Sequence, residues 1–479
     1  AHAAGTIGYL TGRPGVCVTT LGPGVTNLVT GVANAYLDRA PLLAFTGQRH
    51  SAYCDTLPHQ RIAALQLLQP LSKWQCRLTP ENAAEAVEGA WRIALDQPCG
   101  PVHLELPSDL AVAPARESRA TLPIAPAPDL DEAAVVQAVR IIDQAARPVL
   151  LVGLGAQHWG AEREVRRLAE ALGAAVVTTP KAKGTIPEDH PLALGVTDAC
   201  GWQGLKATLR QADLFILIGC DPVELYEPWG FQAAVLHIGQ VPEGNSYFPP
   251  GTTIFGQERL ALSRLGELVG HRQSWPRQVL EQQAAWLSAV LTPPSQALTP
   301  HGLLLALQGL LSPEAIVTCD VGAHKQLAGQ LWQSHFPKTF LVSNGLSAMG
   351  TALPAALAAR LAFPERPVVC LSGDGGFKMV LGELETLVRE RLPLVIVVFS
   401  DQALALIRLS QEARGYQPTG VEYGPVDYAL IAQASGARGF RISHPDQCVP
   451  VLQEALECGE PAVVDAQVSA QFYLAQCRA

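Results

Sequence analysis

Two aspartates and a cluster of glycines carry the most specific chemistry in this sequence. Gly373-Asp374-Gly375-Gly376 closes an apolar, strand-like run from Pro367 to Ser372, and a second run, Leu394 to Phe399, ends in Ser400-Asp401. Between the runs Leu381, Leu384, Leu387 and Val388 recur at helical spacing, which predicts one amphipathic helix from Val380 to Arg391. A strand–helix–strand unit has parallel strands, so both aspartates arrive at the same carboxyl edge of a sheet, where open α/β sheets bind ligands. Glycines let backbone N–H groups approach an anion closely. Side-chain oxygens beside a phosphate cradle suit Mg²⁺, which shares such ligands with substrate phosphates. The residues therefore read as a Mg²⁺–diphosphate site, although a Gly-Asp-Gly tripeptide among 42 glycines also occurs as an ordinary turn.

Three further segments bear on the ligand. They are Thr20-Leu-Gly-Pro-Gly-Val-Thr-Asn27, Cys319-Asp-Val-Gly-Ala-His324 and Ser343-Asn-Gly-Leu-Ser-Ala-Met-Gly350. With Gly373–Gly376 they resemble, in order and spacing over essentially the whole chain, the thiamine-diphosphate enzymes of the acetolactate synthase and pyruvate oxidase branch. The resemblance implies Mg²⁺ ligands at Asp374, Asp401 and the backbone carbonyl of Ala403. Asp401 falls on the second asparagine of the family's Asn-Asn pair, and Ser400 replaces the first. It implies diphosphate contacts at Gly322, His324, Gly373, Gly375 and Gly376. Met349 matches the apolar wedge under the thiazolium ring, though a lone Met in an Ala/Gly-rich segment is more often core filler. Pro23 and Asn27 match the turn that meets the pyrimidine end of the cofactor from a neighbouring subunit. The blander reading is a Gly-Pro-Gly loop with Thr26 or Asn27 capping the next helix. Gln48 and Gln60 match polar positions near the substrate pocket, with His59 in place of an aromatic residue.

Positioning such a site takes a large α/β protein. The 479 residues suffice for about three domains. Apolar runs at Val16–Thr19, Leu42–Phe45 and Val102–Leu106 read as strands, Val25–Leu37 and Ala83–Ala94 as helices, and strand–helix alternation implies parallel sheets. Residues 1–115 form a first domain, expected to be the pyrimidine-binding one, and the Ala/Pro-rich 116–131 a linker. Residues 132–270 form a central domain with strands at Val149, Ala175, Leu214 and Val235. A connector, 271–299, ends at Pro293-Pro294, and 300–479 carries the Mg²⁺ motif. The expected fold is three doubly wound parallel-sheet domains. In the central domain Gly153-Leu-Gly155 hints at a dinucleotide fingerprint, but its spacing is wrong and an ordinary strand-to-helix turn is preferred. FAD, which some relatives bind there, stays open.

A net charge of −9 with no long basic run points away from nucleic acid and anionic membrane, and no apolar stretch reaches the ~20 residues of a membrane span. Eleven cysteines without Cys-x-x-Cys spacing read as buried free thiols of a reducing cytoplasm. The resemblance places the family's activating glutamate just upstream of Ala1, and Ala1–Leu37 contains no carboxylate. The expectation is that the sequence is part of a longer enzyme, the alternative a non-catalytic cofactor-binding subunit. For the enzyme, the resemblance implies decarboxylation and carboligation of 2-oxo acids by a homodimer or homotetramer, acetolactate synthesis first, with other decarboxylases or carboligases as alternatives. Ser108, where acetolactate synthases tend to carry Lys, leaves the substrate open.

Overall fold

A computed structural model describes residues 1–54, 56, 58–114, 128–198, 200–239, 247–291, 297–469 and 471–473. The greater part of the expected linker and the Pro293-Pro294 end of the connector lie outside the described residues. The strands fall into three sheets, parallel throughout. The first holds β1 (Gly15–Thr19), β2 (Leu42–Gln48), β3 (Trp74–Arg77) and β4 (Pro101–Pro107) in the order β1-β2-β4-β3. The second holds β5 (Pro148–Val152), β6 (Ala175–Thr178), β7 (Ala193–Val196), β8 (Leu214–Ile218), β9 (Ala234–Ile238) and β10 (Thr252–Ile254), ordered β10-β9-β8-β5-β6-β7. The third holds β11 (Ile316–Cys319), β12 (Phe340–Val342), β13 (Val368–Gly373), β14 (Val395–Phe399), β15 (Arg438–Ile442) and β16 (Ala462–Ala466), ordered β12-β11-β13-β14-β16-β15.

The chain resolves into two compact units, one of Ala1–Pro126 with Ser343–Ala348 and Leu357–Phe363, the other of the remainder. The first sheet belongs to the first unit, and the second and third sheets to the second. Central strands are buried along their whole length, β5, β8 and β14 at every residue, because helices cover both faces of a parallel sheet. This is why their sequences are continuous apolar runs. β1, at an edge, instead alternates and leaves Val16 and Val18 exposed. Trp275, within the expected connector, is fully buried in the core of the second sheet, its indole N–H donating to the Pro148 carbonyl at 2.8 Å.

Two local expectations change. The helix expected from Val380 to Arg391 is broken: one helix covers Asp374–Met379, a turn follows, and Gly382 caps a second over Glu383–Arg389. Gly382 and β-branched Val380 disfavour a continuous helix there. The helix expected from Val25 begins at Pro23, with Gly22 as its N-cap and no side-chain cap. Proline at the first helical position is pre-organised for that start. Thr26 and Asn27 therefore lie inside the helix and cap nothing.

Candidate functional site

In the third sheet the connectivity reverses between β11 and β13, and the chain leaving each strand lines that crevice. The pairing Gly373↔Phe399 aligns β13 with β14, so Asp374 and Asp401 follow the ends of adjacent strands. Asp374 is buried; its Oδ2 accepts the Gln402 N–H at 2.8 Å and its Oδ1 the Tyr423 hydroxyl. Asp401 Oδ1 accepts the Ala403 N–H at 3.1 Å, and the Ala403 carbonyl oxygen lies 3.2 Å from the Tyr423 hydroxyl. Burial raises the Asp374 carboxyl above its ordinary range. Burial, and then the charge of Asp374, push Asp401 up to about 7. A carboxylate whose ionisation is hindered by burial and by a neighbouring carboxylate is relieved by a cation.

From β11 come Asp320, Gly322 and His324. Asp320 is a buried clamp: it accepts N–H groups from Val321 (2.9 Å), Gly350 (2.9 Å) and Thr351 (3.2 Å) and the Ser372 hydroxyl (3.2 Å). A Cβ on Gly376 would collide with this carboxylate, so Gly376 is small for the sake of Asp320. A Cβ on Gly322 or Gly373 would lie 2.8 or 3.0 Å from the His324 ring. These two glycines let the imidazole lie flat in the crevice, stacked on Phe399 with centroids 5.2 Å apart. His324 is held neutral by burial, its pKa lowered to about 3; it bonds the Asp320 backbone, while Nε2 is buried with no partner. A neutral ring that donates from the other nitrogen presents Nε2 as an acceptor. Donation from this nitrogen to a phosphate oxygen therefore requires a second proton on the ring. A Cβ on Gly375 would meet Met349 Cε at 3.2 Å and the Tyr423 hydroxyl at 3.3 Å, which places both side chains at the glycine cluster.

In the first unit, Pro23 and Asn27 are exposed on the first turns of their helix, and Gln60, at φ 59°, packs against Gly22. Gln48 is drawn elsewhere. Its amide donates to Glu105 Oε1 at 2.8 Å, and Arg77 pairs with the other Glu105 oxygen. Gln60 thus joins the Gly-Pro-Gly turn, whereas Gln48 belongs to a buried ion-pair cluster. Asp38, the first carboxylate of the chain, is buried and committed to the amides of Asn344 and Gly345 at 3.2 and 2.9 Å.

The residues at the third sheet fit a divalent cation bound together with a phosphate. Two carboxylates and one carbonyl converge, and among the described residues no group of three His, Cys, Asp or Glu forms a self-sufficient metal site. Such a set leaves coordination positions for water and phosphate oxygen, the habit of Mg²⁺.

Three family descriptions match the chain: thiamine pyrophosphate enzyme N-terminal TPP binding domain (residues 1–67), central domain (135–265) and C-terminal TPP binding domain (320–466). Curated relatives include the probable acetolactate synthase large subunit of Methanocaldococcus jannaschii, 32% identical over 97% of this chain and 83% of the relative. The chain belongs to the thiamine pyrophosphate enzyme family. The catabolic acetolactate synthase of Raoultella terrigena is 31% identical (97% and 85% covered), and the acetolactate synthase of Bacillus subtilis 29% (98% and 84%). As in a thiamine-diphosphate-dependent enzyme, β1 and β2 of the first sheet lie in the matched N-terminal cofactor-binding domain, the whole second sheet in the central domain, and the third sheet from β12 onward in the C-terminal cofactor-binding domain. Among the described residues no helix is long and apolar enough to cross a membrane.

The crevice of the central domain does not fit a dinucleotide. Its connectivity reverses between β5 and β8, and there the fully buried Glu224 accepts the Leu154 N–H (3.1 Å), the Asp221 N–H (3.2 Å) and the Thr179 hydroxyl (2.6 Å). A Cβ on Gly153 would lie 2.5 Å from the Gly219 carbonyl and 2.6 Å from Glu224 Oε2. The Gly153-Leu-Gly155 glycines serve close packing of the chain on itself, and the donors a diphosphate would use are taken. Sequence reasoning passed over Asp320, although it ends an apolar strand inside a quoted motif. It also passed over Glu105 and Tyr423, and Tyr423 carries no local signal at all.

Proposed function

We propose that the full-length protein to which this chain belongs catalyses Mg²⁺- and thiamine-diphosphate-dependent decarboxylation and carboligation of 2-oxo acids, with pyruvate-to-acetolactate conversion as the leading reaction. The carrying observation is the convergence of Asp374, Asp401 and the Ala403 carbonyl beside the unpartnered Nε2 of buried His324. In this reading Asp374, Asp401 and Ala403 hold the cation. His324 Nε2 takes up a proton on meeting the diphosphate and donates it as a hydrogen bond. Met349, beside Gly375, supports the ring end of the cofactor. Pro23, Asn27 and Gln60 form the polar turn that a pyrimidine and a small acid would meet. When bound, thiamine diphosphate supplies the carbon nucleophile and electron sink that let a 2-oxo acid lose CO₂. The residues present contribute positioning, charge neutralisation and exclusion of water.

Three further points belong to the same reading. The enzyme works without FAD, because Glu224 and the Gly219 backbone fill the seat a flavin diphosphate would need. The working species is a homodimer or homotetramer with its active site at the subunit interface. The compartment is the reducing cytoplasm, which suits the ten free cysteines among the described residues, six of them buried. The non-catalytic alternative keeps one supporting observation: Asp38, with its two amide partners, and Glu105, paired with Arg77, are both committed to structural contacts.

The deciding experiment is pyruvate turnover by the full-length protein with Mg²⁺ and thiamine diphosphate, resolving CO₂, acetaldehyde and acetolactate, with sedimentation under the same conditions. Acetolactate with one CO₂ per product establishes the synthase, and acetaldehyde moves the reaction to a decarboxylase. Cofactor binding without turnover of any 2-oxo acid, by a full-length protein that carries no glutamate just upstream of Ala1, establishes the silent subunit.

A further inference from the structure

Tyr423 stands inside the seat just described. An antiparallel bridge pairs Ala403 with Glu422; the Leu404 N–H donates to the Val421 carbonyl at 2.8 Å and the Tyr423 N–H to the Gln402 carbonyl at 3.0 Å. This pairing lays residues 421–423 along the loop that carries Asp401. The phenol then reaches two of the three oxygens assigned to the cation, donating to Asp374 Oδ1 and lying 3.2 Å from the Ala403 carbonyl. The same oxygen covers Gly375, whose added Cβ would lie 3.3 Å from it. On its other side the Lys378 ammonium sits 3.3 Å from the ring centroid.

A hydroxyl proton does for facing oxygens, in a weaker field, what a cation does: it offsets their mutual repulsion. We propose that Tyr423 is the resident stand-in for the cation, its hydroxyl holding Asp374 and the Ala403 carbonyl in place until metal and diphosphate bind, and leaving Asp374 as they do. The inference rests on the reading of this crevice as the metal–diphosphate seat. It requires movement of the side chain only, since buried Val421 anchors the backbone two residues earlier. Loading then competes with a bond to a charged group, so its removal tightens cofactor binding by about tenfold, the weight of one such bond.

The test is calorimetric titration of Mg²⁺ with thiamine diphosphate into the wild type and Tyr423→Phe. It is paired with ¹⁹F NMR of 3-fluorotyrosine-labelled protein, in which Tyr423 is one of nine tyrosines and is identified by its loss in the variant. Tighter binding by the variant, together with a shift of the Tyr423 resonance on loading, is the expected result. Equal or weaker binding by the variant, or an unmoved resonance in a wild type that binds cofactor, overturns the stand-in and leaves the seat intact. A wild type that binds no cofactor, or one whose binding Asp374→Ala leaves unchanged, overturns the seat and the stand-in together.

Discussion

At the switch point of the second sheet, a carboxylate enters the crevice from the chain itself and finds donors at Leu154, Asp221 and Thr179. At the switch point of the third sheet, two carboxylates share too few donors, burial and then the charge of Asp374 push Asp401 up to about 7, and an imidazole nitrogen beside them has no partner. Both crevices lie beyond the carboxyl ends of parallel strands, and both carry glycines. The difference lies in where the hydrogen bonds end. A crevice whose polar groups are satisfied internally is a piece of structure; one whose polar groups are left over is a place for a ligand. Glycine shows the same contrast. Gly153 is small so that backbone can pack on backbone, whereas Gly375 faces side chains at the site.

The largest effect that would sharpen this contrast comes from Asp374→Ala. Mg²⁺-dependent cofactor affinity is expected to fall by about two orders of magnitude or more, because a direct ligand is lost rather than a supporting one. Calorimetry measures this, and folding should survive, since the variant relieves a buried like-charge pair. Glu224→Ala is the mirror case. It leaves the donors of Leu154, Asp221 and Thr179 unsatisfied and should cost on the order of 3 kcal/mol by chemical denaturation at pH 5, with cofactor affinity unchanged. A fall in cofactor affinity with little loss of stability would break the comparison.

That cost should shrink at pH 8, and the sign follows from burial. Glu224 is raised from 4.5 to about 7 in the folded protein. Its stabilisation is therefore complete below about pH 4.5 and is lost as the pH rises through about 7. Denaturation midpoints of wild type and variant at the two pH values test this. Gly376→Ala, which drives a methyl group into the Asp320 carboxylate, should cost about 2 kcal/mol and weaken cofactor binding through displacement of Gly350 and Thr351. The smallest effect is expected at Gln402, which holds φ 60° with its N–H on Asp374. Gln402→Gly should gain less than about 1 kcal/mol in a thermal melt, because glycine adopts that conformation without strain.

The sequence by itself determined the parallel α/β architecture, the apolar strands of the sheet centres and the pair Asp374 and Asp401 at one edge. These are short-range signals: continuous apolar runs, helical spacing, and glycines at the ends of strands. Short strands such as Trp74–Arg77 and Thr252–Ile254 escaped because a few residues carry no period. The break at Val380–Gly382 escaped because the apolar spacing runs across it.

Only the tertiary structure decided what each polar group is for. Tyr423 reaches Asp374 through a bridge between segments joined by a helix and a long loop. Glu224 closes a crevice whose other wall begins at Gly153, and Gln48 turns to Glu105 and Arg77 instead of the turn that Gln60 joins. Each of these outcomes is a choice of hydrogen-bond partner between residues far apart in the chain. Local sequence specifies that a donor or acceptor exists; packing alone specifies which one it meets.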